Sequence, residues 1–144
     1  MVEVDEMDMK ILRMLQEDGR LSFTEIAEKL KLSESTIRKR VQTLQKKGVI
    51  KKFSIEIDPS KIGINTVAIV GVDVDPTKLL EAAENLCQIK EVRSVATSTG
   101  DHMIMTEIWT RDGRELTKIV SEKIGAIEGV KKICPAIILE RLKE

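Results

Sequence analysis

The 144-residue chain carries 24 Lys+Arg against 24 Asp+Glu, with one His, two Cys and 2% aromatics, so its core must be aliphatic and a two-histidine metal site is excluded. Apolar residues make up 42% and charged residues of mixed sign 33%, which supports one ordinary or two small folded domains and argues against wholesale disorder. The longest apolar run, "VAIVGV", is too short to cross a bilayer, and the acidic start "MVEVDEMDMK" lacks the layout of a secretory signal. Cys87 and Cys134 stand far apart without C-x-x-C spacing, which predicts buried thiols in a soluble, cytoplasmic protein.

Overall neutrality hides an asymmetry. Residues 1–53 carry 12 Lys+Arg and 9 Asp+Glu, whereas residues 54–144 carry 12 and 15. Between Ser35 and Lys52 there are seven cations and no acid. A basic part joined to an acidic part suggests two modules with different partners.

In chain order, "DEMDMKILRMLQED" predicts a helix that places Met7, Ile11, Met14 and Leu15 on one face and ends before Gly19. "SFTE" at 22–25 is a capping box that opens a short helix burying Ile26, Ala27 and Leu30. Ser33 caps a third helix with Ile37, Val41 and Leu44 inward, running to about Lys47 and stopped by Gly48. Its outer side holds Ser35, Thr36, Arg38, Lys39, Gln42, Thr43 and Lys46. Two short helices with a basic outer face on the second form a helix-turn-helix pattern, whose second helix suits the major groove. Arg38, Lys39 and Arg40 are the expected cationic contacts, and Ser33 joins the hydroxyls at the N-terminus of that helix. After Gly48, alternating Ile50, Phe53, Ile55 and Ile57 predict a strand that breaks at Asp58-Pro59.

Beyond this linker, "TVAIVGVDV" predicts a strand. "DPTKLLEAAENLC" predicts a helix capped by Asp75, with Pro76 in first position and Leu79, Leu80, Ala83, Leu86 and Cys87 inward. "VRSVATST" and "HMIMTEIWT" read as strands around a Gly100-Asp101 turn. A helix capped by Asp112 follows, buried through Leu116, Ile119, Val120 and Ile124. The last strand, "VKKICPAIILERL", carries Pro135, which suits a sheet edge. The order β-α-β-β-α-β is the ferredoxin-like arrangement, and "IKEVRSV" and "IEGVKKI" echo one another at its two helix-to-strand joints.

The run "RLSFTEIAEKLKLSESTIRKRVQTLQKKGVI" resembles the DNA-binding head of the leucine-responsive, or feast/famine, transcription regulators (the Lrp/AsnC family), and the part around "STGDHMIM" is similar to their effector domain. The resemblance covers nearly the whole chain. It implies an α+β protein: a winged-type helix-turn-helix at 1–52, a β-linker at 53–65, and a ferredoxin-like effector-binding and oligomerisation domain at 66–144. It also implies double-stranded DNA as partner, homodimers that assemble into octamers, and a small amino acid bound between dimers, with no cofactor and no membrane. The effector residues it points to are Ser98, Thr99, Gly100, Asp101, His102 and Met103, with Cys134 and Pro135 from a neighbouring subunit. Two positions depart from the family pattern. Lys31 stands where Gly is usual, so the backbone there is strained or not left-handed. Met103 stands where many members carry an acid, which favours an aliphatic effector over a basic one.

Other functions fit the residues less well. An enzyme on the ferredoxin-like part would need a nucleophile–base pair, a metal cluster or a phosphate loop. Asp101 and His102 are adjacent, so their side chains point apart, and no Gly-x-Ser-x-Gly elbow is present. An architectural DNA-compacting protein would use the same head without a ligand.

Overall fold

The computed structural model describes residues 2–144, and its first helix begins at an acidic cap. Helix α1 spans Glu6–Glu17; Asp5 Oδ1 accepts from Asp8 N–H at 2.8 Å while Asp8 returns the bond to Asp5 N–H. Helix α2 (Phe23–Leu30) starts on the expected box, with Glu25 N–H to Ser22 Oγ at 3.0 Å and Ser22 N–H to Glu25 Oε2 at 2.8 Å. Helix α3 (Glu34–Lys46) starts on Ser33. Gly48, at φ 77°, takes the left-handed turn that ends this helix region. The inward residues Ile11, Ile26, Ala27, Ile37 and Val41 form the core of this unit.

The expected strand after Gly48 is not realised. Residues 49–57 form no β ladder, and Phe53, Ile55 and Ile57 are 49%, 76% and 41% exposed. Alternation alone makes a segment compatible with a sheet; a strand also needs a partner, and no described residue of the chain supplies one here.

The chain divides into two compact units, Met1–Ile57 and Asp58–Glu144. The second contains β1 (Thr66–Val74), α4 (Leu79–Cys87), β2 (Val92–Thr97), β3 (Ile104–Thr110), α5 (Gly113–Lys118, widening into a π-type turn over Ile119–Ile124) and β4 (Val130–Ile137). Its sheet is antiparallel in the order β2-β3-β1-β4. Ala68, Val70, Val72, Ile104 and Ile108 alternate onto the face that packs against Ala82 and Leu86 of α4 and Leu116 of α5. The other face carries Val67, Ile69, Met105 and Trp109, all only partly buried.

Two details of α4 correct the sequence reading. A 3₁₀ turn over Pro76–Lys78, capped by Asp75, precedes the helix and turns more tightly than an α-helix, rotating the faces that follow. Ala82 and Leu86 are therefore buried, Leu80 is 75% exposed, and Cys87 is exposed rather than a buried thiol. Pro135 lies on the edge strand β4, as its missing N–H requires. That strand ends at Ile137, short of the sequence expectation.

Candidate nucleic-acid interface and effector site

Helix α3 begins with a hydroxyl cluster. Ser33 Oγ accepts from Thr36 N–H at 3.2 Å and lies 2.7 Å from Thr36 Oγ1 and 3.1 Å from Ser35 Oγ. Ser35, Arg38, Lys39, Gln42, Thr43 and Lys46 are exposed on the outer side of the helix. Thr43 Oγ1 donates back to Lys39 O at 2.9 Å. The turn before this helix is left-handed at Lys31 (φ 56°, ψ 44°), so of the two expectations for that residue, the strained one holds.

The seven cations of Ser35–Lys52 are not equivalent. Arg40 donates from Nη1 to Asp5 Oδ2 at 2.7 Å and to Asp8 Oδ1 at 3.0 Å, tying α3 to the first turn of α1. The Arg40 guanidinium holds the Asp5 carboxyl below its usual range, and both acids raise Arg40 in return. Arg38 donates to Glu34 Oε1 at 2.6 Å and its guanidinium lies 5.2 Å over the Phe23 ring. Glu34 is lowered by Arg38 first and by the Thr24 hydroxyl second. Lys39, Lys46, Lys47, Lys51 and Lys52 form no ion pair among the described residues. The surface is thus basic mainly through its lysines, with Arg38 held by Glu34 and Phe23 and Arg40 by the start of α1.

The β2–β3 connection runs from Ser98 to Met103. Ser98 N–H donates to Met103 O at 2.9 Å, and Ser98 Oγ donates to His102 O. Gly100 has no positive φ, and a Cβ on it would meet nothing, so this is a wider loop than the tight hairpin expected from Gly100-Asp101. The amides of Thr99, Gly100, Asp101 and His102 donate to no described protein acceptor. Asp101 is exposed and forms no ion pair among the described residues.

This loop is fixed to strand β1 by a residue the sequence reading missed. Asp73 Oδ1 accepts from Met103 N–H at 3.2 Å, and Asp73 Oδ2 lies 3.1 Å from His102 Nδ1. The Asp73 carboxyl is lowered chiefly by the His102 hydrogen bond, then by the Met103 amide. His102 lies against Gly71. Cys134 is the cross-strand partner of Gly71 and so shares the His102 side of the sheet. Pro135 pairs with Val70 and therefore alternates to the opposite, helix-covered side. Cys134 and the loop are thus neighbours within one chain, while Pro135 is not part of the same surface. A single polar residue inside the apolar run "VAIVGVDV" was the only sequence signal for Asp73.

Comparison with known proteins agrees with this layout. Residues 4–51 match the family model for winged helix-turn-helix DNA-binding, and residues 67–144 match that of the Lrp/AsnC ligand binding domain. The HTH-type transcriptional regulator LrpA of Pyrococcus horikoshii is 54% identical over 97% of this chain and 99% of its own length. The crystal structure of PH0061 superposes with a TM-score of 0.90 at 27% identity, over 100% of this chain and 98% of that one. The same fold occurs in NMB0573 of Neisseria meningitidis, solved in complex with L-Met (TM-score 0.90, 24% identity, 99% and 94% coverage). LrpA is named as an HTH-type transcriptional regulator and NMB0573 as a transcriptional regulator. With a DNA-binding head matched over residues 4–51 and a ligand-binding domain over 67–144, the chain belongs to the Lrp/AsnC family of DNA-binding transcriptional regulators.

Proposed function

We propose that this regulator is a cytoplasmic homo-oligomer whose assembly and operator affinity respond to a small aliphatic amino acid held at the Ser98–Met103 loop. The observation that carries this reading is the pairing of free amides with a free carboxylate on one loop. Thr99, Gly100 and Asp101 offer N–H groups to a ligand carboxylate, and Asp101 offers a carboxylate to its ammonium. The open side of Gly100 leaves the approach clear. Met103, Met105 and Cys134 supply soft apolar surface for the ligand side chain. An L-Met ligand is named for the Neisseria structure, and an aliphatic amino acid is the corresponding class here.

A second copy of the chain supplies the rest. The half-buried sheet face with Val67, Ile69 and Trp109 suits a like face, and dimers joined this way build an octamer with the effector between them. Each head reads one half-site, so paired heads give useful specificity. On DNA, Arg38 and Lys39 are the groove contacts, Lys46 meets phosphate, and Ser35, Thr36 and Gln42 tune sequence choice. Arg40 positions α3, because its Nη1 already binds both Asp5 and Asp8 at the start of α1.

The test is calorimetry of the wild type and Asp101→Ala with each amino acid, combined with light scattering and footprinting. The expected result is that an aliphatic amino acid binds the wild type, changes its assembly and footprint, and has none of these effects on Asp101→Ala. Sequence-specific DNA binding with no amino-acid response would instead favour an architectural protein.

A further inference from the structure

The polar residue near the end of apolar strand β1, and the glycine two positions before it, touch the effector loop without belonging to it. The geometry points to Asp73 and Gly71 as positioning residues of the effector site, through which strand β1 sets amino-acid affinity. This rests on the effector reading above and adds residues to it.

Two independent contacts converge. Asp73 uses both oxygens on the loop, one on the Met103 amide at 3.2 Å and one on His102 Nδ1 at 3.1 Å. Gly71 leaves the space that the His102 ring fills: a Cβ there would lie 2.3 Å from His102 Cδ2 and 2.4 Å from Cγ, closer than real contacts allow. The loop's other bonds, from Ser98 to Met103 O and His102 O, close it on itself and do not tie it to β1. Asp73 also faces Lys132 across β4.

The division of donors explains why this matters for a ligand. Asp73 consumes the amide at the end of the loop and the imidazole, and leaves the amides of Thr99 through His102 free. A loop held in one shape before binding loses less freedom when the ligand arrives, so affinity depends on the anchor as well as on the contacting atoms. A polar residue present only to satisfy a half-exposed strand would leave ligand affinity alone.

The experiment uses the full chain as wild type, Asp73→Ala, Asp73→Asn, Gly71→Ala, His102→Ala and the Gly71→Ala/His102→Ala double variant. L-leucine and L-methionine are titrated calorimetrically, amide exchange is followed across Ser98–Met103, and DNA affinity is measured without amino acid. Asp73→Ala is expected to weaken amino-acid binding by about tenfold or more, the scale of a lost charged hydrogen bond, and to speed exchange at Met103. Asp73→Asn keeps a carbonyl for the Met103 amide and should recover part of both. Gly71→Ala should cost affinity in the wild-type background and nothing further once His102 is Ala, a non-additivity that a general loss of stability does not produce. DNA affinity without amino acid should stay unchanged throughout. Equal amino-acid binding and equal exchange in Asp73→Ala, or additive effects of the two alanines, would overturn the inference. If the wild type binds neither amino acid, the effector reading fails; the exchange data then decide the anchoring alone, with unchanged Met103 exchange overturning it.

Discussion

The α2–α3 turn and the β2–β3 loop both present polar groups from a rigid frame, but they are held by different kinds of contact. The first is local: Leu32 N–H reaches Ala27 O at 3.0 Å, Lys31 is left-handed, and Ser33 caps the next helix. The second depends on Asp73, whose loop partners lie 29 and 30 residues away in sequence. A locally held turn survives as long as its helices do. A loop held from a distance can be loosened by one side chain without harm to the sheet, which suits a part that must respond to a ligand.

The comparison breaks first if packing, rather than local bonding, contributes little to the DNA-binding turn. Ile37 is fully buried beneath α3. Ile37→Ala is expected to destabilise the first unit by about 3 kcal/mol, from lost transfer energy and the cavity left behind. Thermal melts monitored separately by DNA binding and by self-association should show the first lost at lower temperature and the second retained. Loss of both together would mean that the two units unfold as one.

A second, smaller effect concerns the outward face of the same helix. Arg38→Ala/Lys39→Ala should lower DNA affinity by about 10- to 100-fold, as expected for two lost groove contacts. It should also reduce the slope of log affinity against log salt by about 1, through Lys39, since the Arg38 charge is already met by Glu34. Arg40→Ala should instead lower the melting temperature and leave that slope nearly unchanged, since its charge is met by Asp5 and Asp8. An Arg40→Ala slope that falls as far as that of the double variant would return Arg40 to the DNA contacts.

How much of this was legible in sequence follows the same division. The capping box at Ser22–Glu25, the cap at Ser33 and the stop at Gly48 were readable because each rests on neighbours in the chain. The inward face of α4 was misjudged at Leu80 and Cys87 because a 3₁₀ turn shifted the helical phase, and hydrophobic spacing does not reveal such a shift. Phe53, Ile55 and Ile57 alternate like a strand, yet pairing is a property of two segments. At the effector loop, the residue types were readable and the anchor was not. His102 meets Gly71 and Asp73 only after the sheet has set β1 beside β3.

Acid should separate the two turns. A carboxylate lowered in the folded state adds stability that is fully present above its unfolded value, about 4, and is lost as pH falls through the folded value. Asp73 is lowered by His102 and Met103, so its hold on the loop is complete at neutral pH and weakens only below about pH 4. The Leu32–Ala27 bond has no titrating partner. Exchange protection at Met103 should therefore fall before that at Leu32 as the protein is acidified while still folded. Parallel loss would show that Asp73 is not the anchor.

The smallest expected effect tests the strain in the local turn. Among the described residues Lys31 is the one non-glycine at positive φ, a conformation that costs an L-residue about 1–2 kcal/mol. Glycine removes that cost, but it also gives the unfolded chain more freedom, which offsets about 0.4–1 kcal/mol of the gain. Lys31→Gly is therefore expected to stabilise the first unit by less than about 1 kcal/mol, read as a small rise in denaturation midpoint with an unchanged m-value. The lysine is exposed and forms no ion pair among the described residues, so no ion pair is lost with it. If its charge also faces phosphate, DNA affinity will drop slightly and the salt slope by about 1, whereas a purely conformational role leaves both unchanged. A fall in stability on Lys31→Gly would mean that the lysine stem packs on α2 more than its backbone is strained, and the local turn would then owe its shape to side-chain contact as the effector loop does.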